Sequence, residues 1–253
     1  MEAVLAVLAG VVSGLIAGAF GVGGAILSTP AVQVLLGAPP IVAVGTTLPA
    51  IFPTSLTGSY AYHRAGEVDV RAVRWLAPPG AVASALGALA TAVINPHWLL
   101  LTTAILIGWQ AARVGLGTGP APRARAAGGP SGRALAVTGA GAGFASGLLG
   151  IGGGVVLVPV MNAVLGMPLK RTLGTSLVVI AVMVVPGTVV HAILGHIDWA
   201  IFGWLTLGVV PGAAAGARWT IRSQERTVRI AVGLFLGAVA VAYAAFEVGR
   251  LLG

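Results

Sequence analysis

Gly14-Leu-Ile-Ala-Gly18-Ala-Phe-Gly21-Val-Gly23-Gly24 returns 129 residues later as Gly143-Phe-Ala-Ser-Gly147-Leu-Leu-Gly150-Ile-Gly152-Gly153. Without a gap the match continues through Pro30/Pro159, Leu36/Leu165, Gly37/Gly166, Pro39/Pro168, Gly45/Gly174 and Thr46/Thr175. It still holds at Gly66/Gly195, Asp69/Asp198 and Trp75/Trp204. Glycine alone would recur by chance in so glycine-rich a chain, but proline, threonine, aspartate and tryptophan at one offset mark a duplicated unit. A repeated apolar unit broken by Gly and Pro points to a membrane transport fold with its site where the halves meet.

Composition agrees. Apolar residues are 57% of the 253 and charged residues 8%, whereas a soluble domain has about a quarter charged. Ten apolar segments are expected at about 3–19, 22–37, 41–63, 72–94, 98–117, 133–149, 152–166, 170–194, 199–219 and 226–250. Most have the length that spans a bilayer as helix, and none has the alternation of a membrane barrel. The expected class is therefore all-α and polytopic: a first repeat over 1–116, a Gly/Pro/Ala-rich linker over 117–132 and a second repeat over 133–253.

The net charge of +8 would suggest nucleic acid in a soluble domain, but arginines flanking apolar spans are explained by topology. No nucleic-acid partner is expected. With no cysteine, disulfides and thiolate metal sites are excluded. The apolar run starts directly after Met1-Glu2 without a basic region, so the first segment is expected to remain in the protein. One Lys against thirteen Arg suggests a GC-rich, bacterial source and hence an inner (plasma) membrane.

The arginines choose between two topologies. If 3–37 is one broken span, the basic residues split eight to six between the sides. If 3–19/22–37 and 133–149/152–166 are pairs returning to the side they came from, Arg64, Arg71, Arg74, Arg113, Arg123, Arg125, Arg133, Lys170, Arg171, Arg218, Arg222, Arg226 and Arg229 share one side. Only Arg250 is left on the other. The second split obeys the positive-inside rule. It gives each half about five segments, hence two inverted repeats with Gly-interrupted first helices, a cytoplasmic linker and both termini outside. Length alone leaves open whether the paired segments cross fully or form a shallow hairpin.

Candidate site residues follow from the breaks. Gly21, Gly23 and Gly24, and Gly150, Gly152, Gly153 and Gly154, each open a helix inside an apolar region. Their free N–H groups and positive helix ends suit an anion; tight packing through small residues is the alternative, and it accounts for Gly14/Gly18 and Gly143/Gly147. Thr46-Thr47 and Thr175-Ser176 either donate to a substrate oxygen or bond the carbonyl one turn back. Gln33 and Asn162 need a partner in a neighbouring helix or the substrate. His63 and His191, near span ends, read as interfacial residues or as proton carriers; His97 and His196 read as loop residues, and no zinc spacing is present. Asp69 and Asp198 read as helix N-caps.

No acidic residue is mid-span, as a cation pump would require. Protease, hydrolase and nucleotide-binding motifs are missing. No enzyme activity, metal or cofactor is expected.

The duplicated G-x-G-G turn, the following Pro and the Gly45-Thr46-Thr47/Gly174-Thr175-Ser176 pair resemble the TauE/SafE sulfite exporter family over almost the whole chain. The resemblance implies a bacterial inner-membrane permease for small sulfur-containing or organic anions such as sulfite or a sulfonate. Ala25, where the second copy has Gly154, departs from the pattern and would narrow the first half of the site. A passive anion channel and a non-transporting scaffold subunit are the competing readings. Expected partners are a small anion, the lipid bilayer and, as a candidate, a second copy of the chain.

The arginine distribution makes a direct prediction. A reporter active only in the cytoplasm should work when inserted near Gly128 and fail when fused after Gly253; activity at both positions overturns the paired-segment topology.

Overall fold

The computed structural model describes residues 2–90, 130–150, 152–235 and 238. The regular elements among them are all helical: α1 (Glu2–Phe20), α2 (Ala25–Leu35), α3 (Pro40–Arg64), α4 (Val70–Ala90), α5 (Gly132–Leu149), α6 (Gly154–Pro159), α7 (Leu169–Ile193) and α8 (Trp199–Arg222). A further helix, α9, covers 225–235. The expected segment at 98–117, the linker up to residue 129 and the end of the last segment lie outside the described residues.

The first pair of expected segments is broken where the glycines stand. Gly21, Gly23 and Gly24 have φ of +65°, +87° and +80°, and Gly150, Gly152 and Gly153 have +66°, +81° and +70°. A right-handed helix cannot continue through such angles, which side chains other than glycine's rarely adopt. The second segments therefore start at Ala25 and Gly154, not at 22 and 152. Beyond Pro159, which has no N–H to donate, the helix widens into a π-type turn over Val160–Val164.

Helices α1, α3, α7 and α8 are long and apolar enough to cross a membrane. By contrast, the 11 residues of α2 rise only about 16 Å, roughly half the hydrocarbon thickness. The chain reverses at the first break, because Gly24 lies against Ser13 and Ala17 of α1. Helix α2 is thus a returning half-length helix rather than a second full crossing.

Contacts between glycine faces set the helix directions. Gly10, Gly14 and Gly18 of α1 rest on the backbone of Leu205, Val209 and Ala213 of α8, so the two helices run parallel. In α5, Gly139, Gly143 and Gly147 rest in the same way on Leu76, Gly80 and Ser84 of α4. Every residue in the second set is 129 positions from one in the first, with the roles of the halves exchanged. The start of α3 meets the loop before α8, since Gly45 lies under the His196 carbonyl. Likewise Gly174 of α7 lies under the Glu67 carbonyl before α4. Helices α1, α3 and α8 therefore begin at one end of the bundle, and α4, α5 and α7 at the other.

All basic residues among those described sit at the end where α3 and α8 finish and α4, α5 and α7 begin: Arg64, Arg71, Arg74, Arg133, Lys170, Arg171, Arg218, Arg222, Arg226 and Arg229. The outward surface is apolar. Val4, Leu8, Leu56, Val82, Leu86, Val189 and Leu207 are all exposed, as expected for side chains meeting lipid instead of water. The protein is a multi-pass helical membrane bundle.

A methyl group on Gly14 would fall on the Val209 carbonyl and one on Gly143 on the Gly80 carbonyl, whereas one on Gly141 of α5 meets nothing within 4 Å. Gly14→Ala and Gly143→Ala should each destabilise the purified protein by about 1–3 kcal/mol in thermal unfolding and lower its yield. Gly141→Ala should match the parent. Equal stability of all three would mean that the helix pairs do not depend on these contacts.

Candidate functional site

The two glycine turns meet. A methyl group on Gly23 would lie 3.5 Å from the Cα of Gly152, and one on Gly152 would lie 3.5 Å from the Cα of Gly23. Flanking them are Ile51, within 3.5 Å of both added positions, and Ile180, within 3.4 Å of the one on Gly23. Ile51 is the twelfth of the 25 residues of α3 and Ile180 the twelfth of the 25 of α7. The turns therefore touch half-way between the two ends of the bundle.

Each turn opens a helix whose first N–H groups have no carbonyl one turn earlier to accept them. Among the described residues, nothing accepts from the N–H groups of Gly23, Gly24, Ala25 and Ile26, nor from those of Gly152, Gly153, Gly154 and Val155; hydrogen bonding resumes with Leu27 and Ser28 to Gly24 O and with Val156 and Leu157 to Gly153 O. Gly24 and Gly153 occupy the N-cap positions with no side chain to cap them. Two positive helix ends with unpaired donors thus stand close together in a buried, apolar setting.

The halves differ at this junction. A methyl group on Gly154 would lie 2.6 Å from Gly21 O and from the Cα of Val22. The first turn crosses directly over Gly154 and only glycine fits. Ala25, at the matching position, buries its methyl group completely.

The hydroxyl pairs are buried and hold the framework. Thr46 Oγ1 accepts from Asp198 N at 2.8 Å and Thr175 Oγ1 from Asp69 N at 2.9 Å, two matching bonds that fasten each half to the loop of the other. Asp198 Oδ1 in turn accepts from Ala200 N and Ile201 N, and Asp69 Oδ1 from Ala72 N, so both aspartates cap their helices as expected. Thr47 Oγ1 donates to Ala43 O at 2.9 Å and lies 2.9 Å from Thr29 Oγ1. Ser176 Oγ is shared between Leu173 O at 2.8 Å and Gly21 O at 2.9 Å, which places this hydroxyl directly against the first turn.

The other singled-out residues stand apart. Asn162 Nδ2 donates to Met167 O at 2.8 Å and closes the end of its own segment. Gln33 is half-buried on α2, two residues short of its end. His63 is exposed at the arginine-rich end, while His191 is fully buried. His196, expected as a free loop residue, faces His191 with Nδ1 to Nδ1 at 3.1 Å.

Some features escaped the sequence reading. Ile51 and Ile180 are 129 residues apart, yet buried isoleucines on apolar spans give no polar signal. Ser13, Ser55 and Ser146 have buried hydroxyls with no hydrogen-bond partner among the described residues. The Cβ of Ser146 is 3.3 Å from where Gly153 would carry one. These serines stand opposite Ala142, Val184 and Ala17 in the other copy, so a search for repeated residues passes over them.

Comparison with known proteins agrees with this architecture. The family model described as "Sulfite exporter TauE/SafE" matches residues 6–243. A probable membrane transporter protein of Bacillus subtilis (strain 168), YunE, is 28% identical over 90% of this chain and 92% of its own length. A probable membrane transporter protein of Xylella fastidiosa (strain 9a5c) is 30% identical over 88% of each chain. No solved structure matches.

The paired threonine bonds can be checked by substitution. Thr46→Val and Thr175→Val each leave a backbone donor without its acceptor and should cost about 1–3 kcal/mol of stability. Thr46→Ser and Thr175→Ser should stay near the parent. Valine variants as stable as the serine variants would remove the structural role of these hydroxyls.

Proposed function

We propose that this chain, which belongs to the TauE/SafE sulfite exporter family, is a secondary transporter of a small oxyanion, of the sulfite or sulfonate class, working by alternating access between inverted halves. The halves are 1–116 and 133–253, joined by a cytoplasmic linker over 117–132, with both termini outside. Family and relatives support membrane transport as such; the substrate class and the alternating mechanism are inferences from the site.

The observation that carries the reading is the close approach of Gly23 and Gly152 at the bundle's mid-height, with N–H groups on both sides that find no acceptor among the described residues. An anion placed there is met by two helix N-termini and several backbone donors, each charge-assisted bond being about twice as strong as a neutral one. No arginine or lysine is needed in the apolar interior, so no buried full charge is left without its partner when the anion leaves. Gly23, Gly24, Gly152, Gly153 and Gly154 would supply this cradle, with Ser176 at its edge and Thr46, Thr47 and Thr175 bracing the spans around it. The N–H groups of Gly21 and Gly150 donate to Ala17 O and Ser146 O, so these two only turn the chain.

With the first turn packed on Gly154 and Ile51 and Ile180 over the junction, the anion enters only if the two turns part. The exchanged contacts, α1 on α8 and α5 on α4, suit that motion. Each glycine-sealed pair joins the first helix of one half to the fourth expected segment of the other, so the two pairs can rock as bodies about the junction.

Counterflow in liposomes tests the mechanism. Sulfite uptake should saturate and accelerate when unlabelled sulfite is present inside; a passive channel shows no such acceleration, and that result overturns the transporter reading. Gly23→Val and Gly152→Val should abolish uptake, while Gly203→Ala, where a methyl group meets nothing within 4 Å, should leave it unchanged. Titration should favour the anion over a neutral isostere by roughly tenfold or more, the effect of a little over 1 kcal/mol. Equal affinities would remove the anion assignment.

A further inference from the structure

At the arginine-rich end, where α3 and α8 finish side by side, the surface opens into a cavity of about 300 Å³ lined by Tyr60, Ala61, Arg64, Ala65, Arg218, Ile221 and Arg222. Three arginines and no acidic residue line this one space. Among the described residues the one ion pair joins Arg229 to Glu225, so these three arginines have no acidic partner there. Arg64 stands over the Tyr60 ring at 5.9 Å. Lys170 Nζ donates to Ile221 O at 2.9 Å, fixing the wall of the cavity and adding a fourth positive charge beside it.

The positive-inside rule explains why these residues are basic, but not why three converge on one cavity. The repeat shows that the fold does not demand it. The positions 129 residues from Tyr60, Arg64, Ala65 and Arg218 are Val189, Ile193, Leu194 and Leu89, all exposed hydrophobics. One copy has a basic cavity where the other presents plain apolar surface.

What approaches this cavity is marked by the surface below it. Phe52, Leu56 and Tyr60 are 41, 54 and 62% exposed at four-residue spacing on α3, and the same row ends in Arg64. From Phe52 to Arg64 the row rises about 18 Å, close to the thickness of one leaflet's hydrocarbon. An apolar track of one leaflet's depth leads straight to a basic cavity.

We infer that this cavity is a binding site for an anionic glycerophospholipid, with the phosphodiester held by Arg64, Arg218 and Arg222 and an acyl chain lying along Phe52, Leu56 and Tyr60. Planar guanidinium groups bind phosphate oxygens in pairs, and a partner with both a phosphate and a long chain matches the cavity and the row together. The site is separate from the glycine junction and does not rest on the transport reading.

Native mass spectrometry of the intact protein, released from detergent with phosphatidylglycerol or phosphatidylcholine of identical chains, tests this. Phosphatidylglycerol should be retained preferentially. Arg64→Gln and Arg218→Gln should each weaken retention roughly fivefold, the effect of one cation at an anionic surface. Arg133→Gln and Arg171→Gln, on the same face but outside the cavity, should not. Arg218→Lys keeps the charge and should lie between parent and glutamine variant, which guards against a simple folding defect. Leu56→Asn should weaken lipid retention without affecting binding of free glycerol phosphate. Equal retention of both lipids, equal losses at the control arginines, or glycerol phosphate competing as well as intact lipid would each overturn the lipid site.

Discussion

An unpaired backbone N–H in an apolar interior costs several kcal/mol, and among the described residues this bundle keeps two clusters of them at its centre. The rest of the architecture serves that placement. Each break is made by three glycines of positive φ, and each is followed by a half-length helix running from mid-height toward one end. Ile51 and Ile180 cover the junction. A polar element at this depth is tolerated because protein surrounds it on every side, and the same enclosure makes its partial charge strong toward an anion.

The enclosure depends on how closely the helices approach. Backbone rests on backbone where α1 crosses α8 and where α5 crosses α4, through Gly10, Gly14 and Gly18 on one side and Gly139, Gly143 and Gly147 on the other. With little hydrophobic force between helices in lipid, such contact relies on close packing and small residues. The threonine bonds from Thr46 to Asp198 N and from Thr175 to Asp69 N then lock each half to the other's loop. Packing and hydrogen bonding cross between the halves at matching points, so neither half completes its junction alone.

Departures from the repeat are as informative as its matches. Gly154 yields to the backbone of the first turn while Ala25 does not need to. Ser176 reaches the opposite turn while Thr47 turns back to its own helix and to Thr29. Tyr62, bonded to Ala19 O at 3.3 Å, stands where the second half has His191, which faces His196 instead. The basic residues follow the end of the bundle and not the repeat, since Arg64 and Arg218 have apolar counterparts. Shared residues preserve the junction, and unshared ones give each face its own chemistry.

Much of this was legible in the chain. Composition determined the helical membrane class, because a chain with 8% charged residues cannot cover a surface in water. The 129-residue offset located both glycine breaks, and the arginines indicated which ends lie together. The aspartate caps were readable because capping is local. The half-length of α2, the approach of Gly23 to Gly152 and the pairing of α1 with α8 rather than with a neighbour in its own half were decided by tertiary structure alone. So were the use of Thr46 and Thr175 as ties between halves, the covering isoleucines and the gathering of Arg64, Arg218 and Arg222 around one cavity. The division has a physical cause. Lipid contact, backbone angles and caps depend on a residue and its near neighbours, whereas these contacts join positions more than a hundred residues apart, and only the packed bundle determines which of them meet.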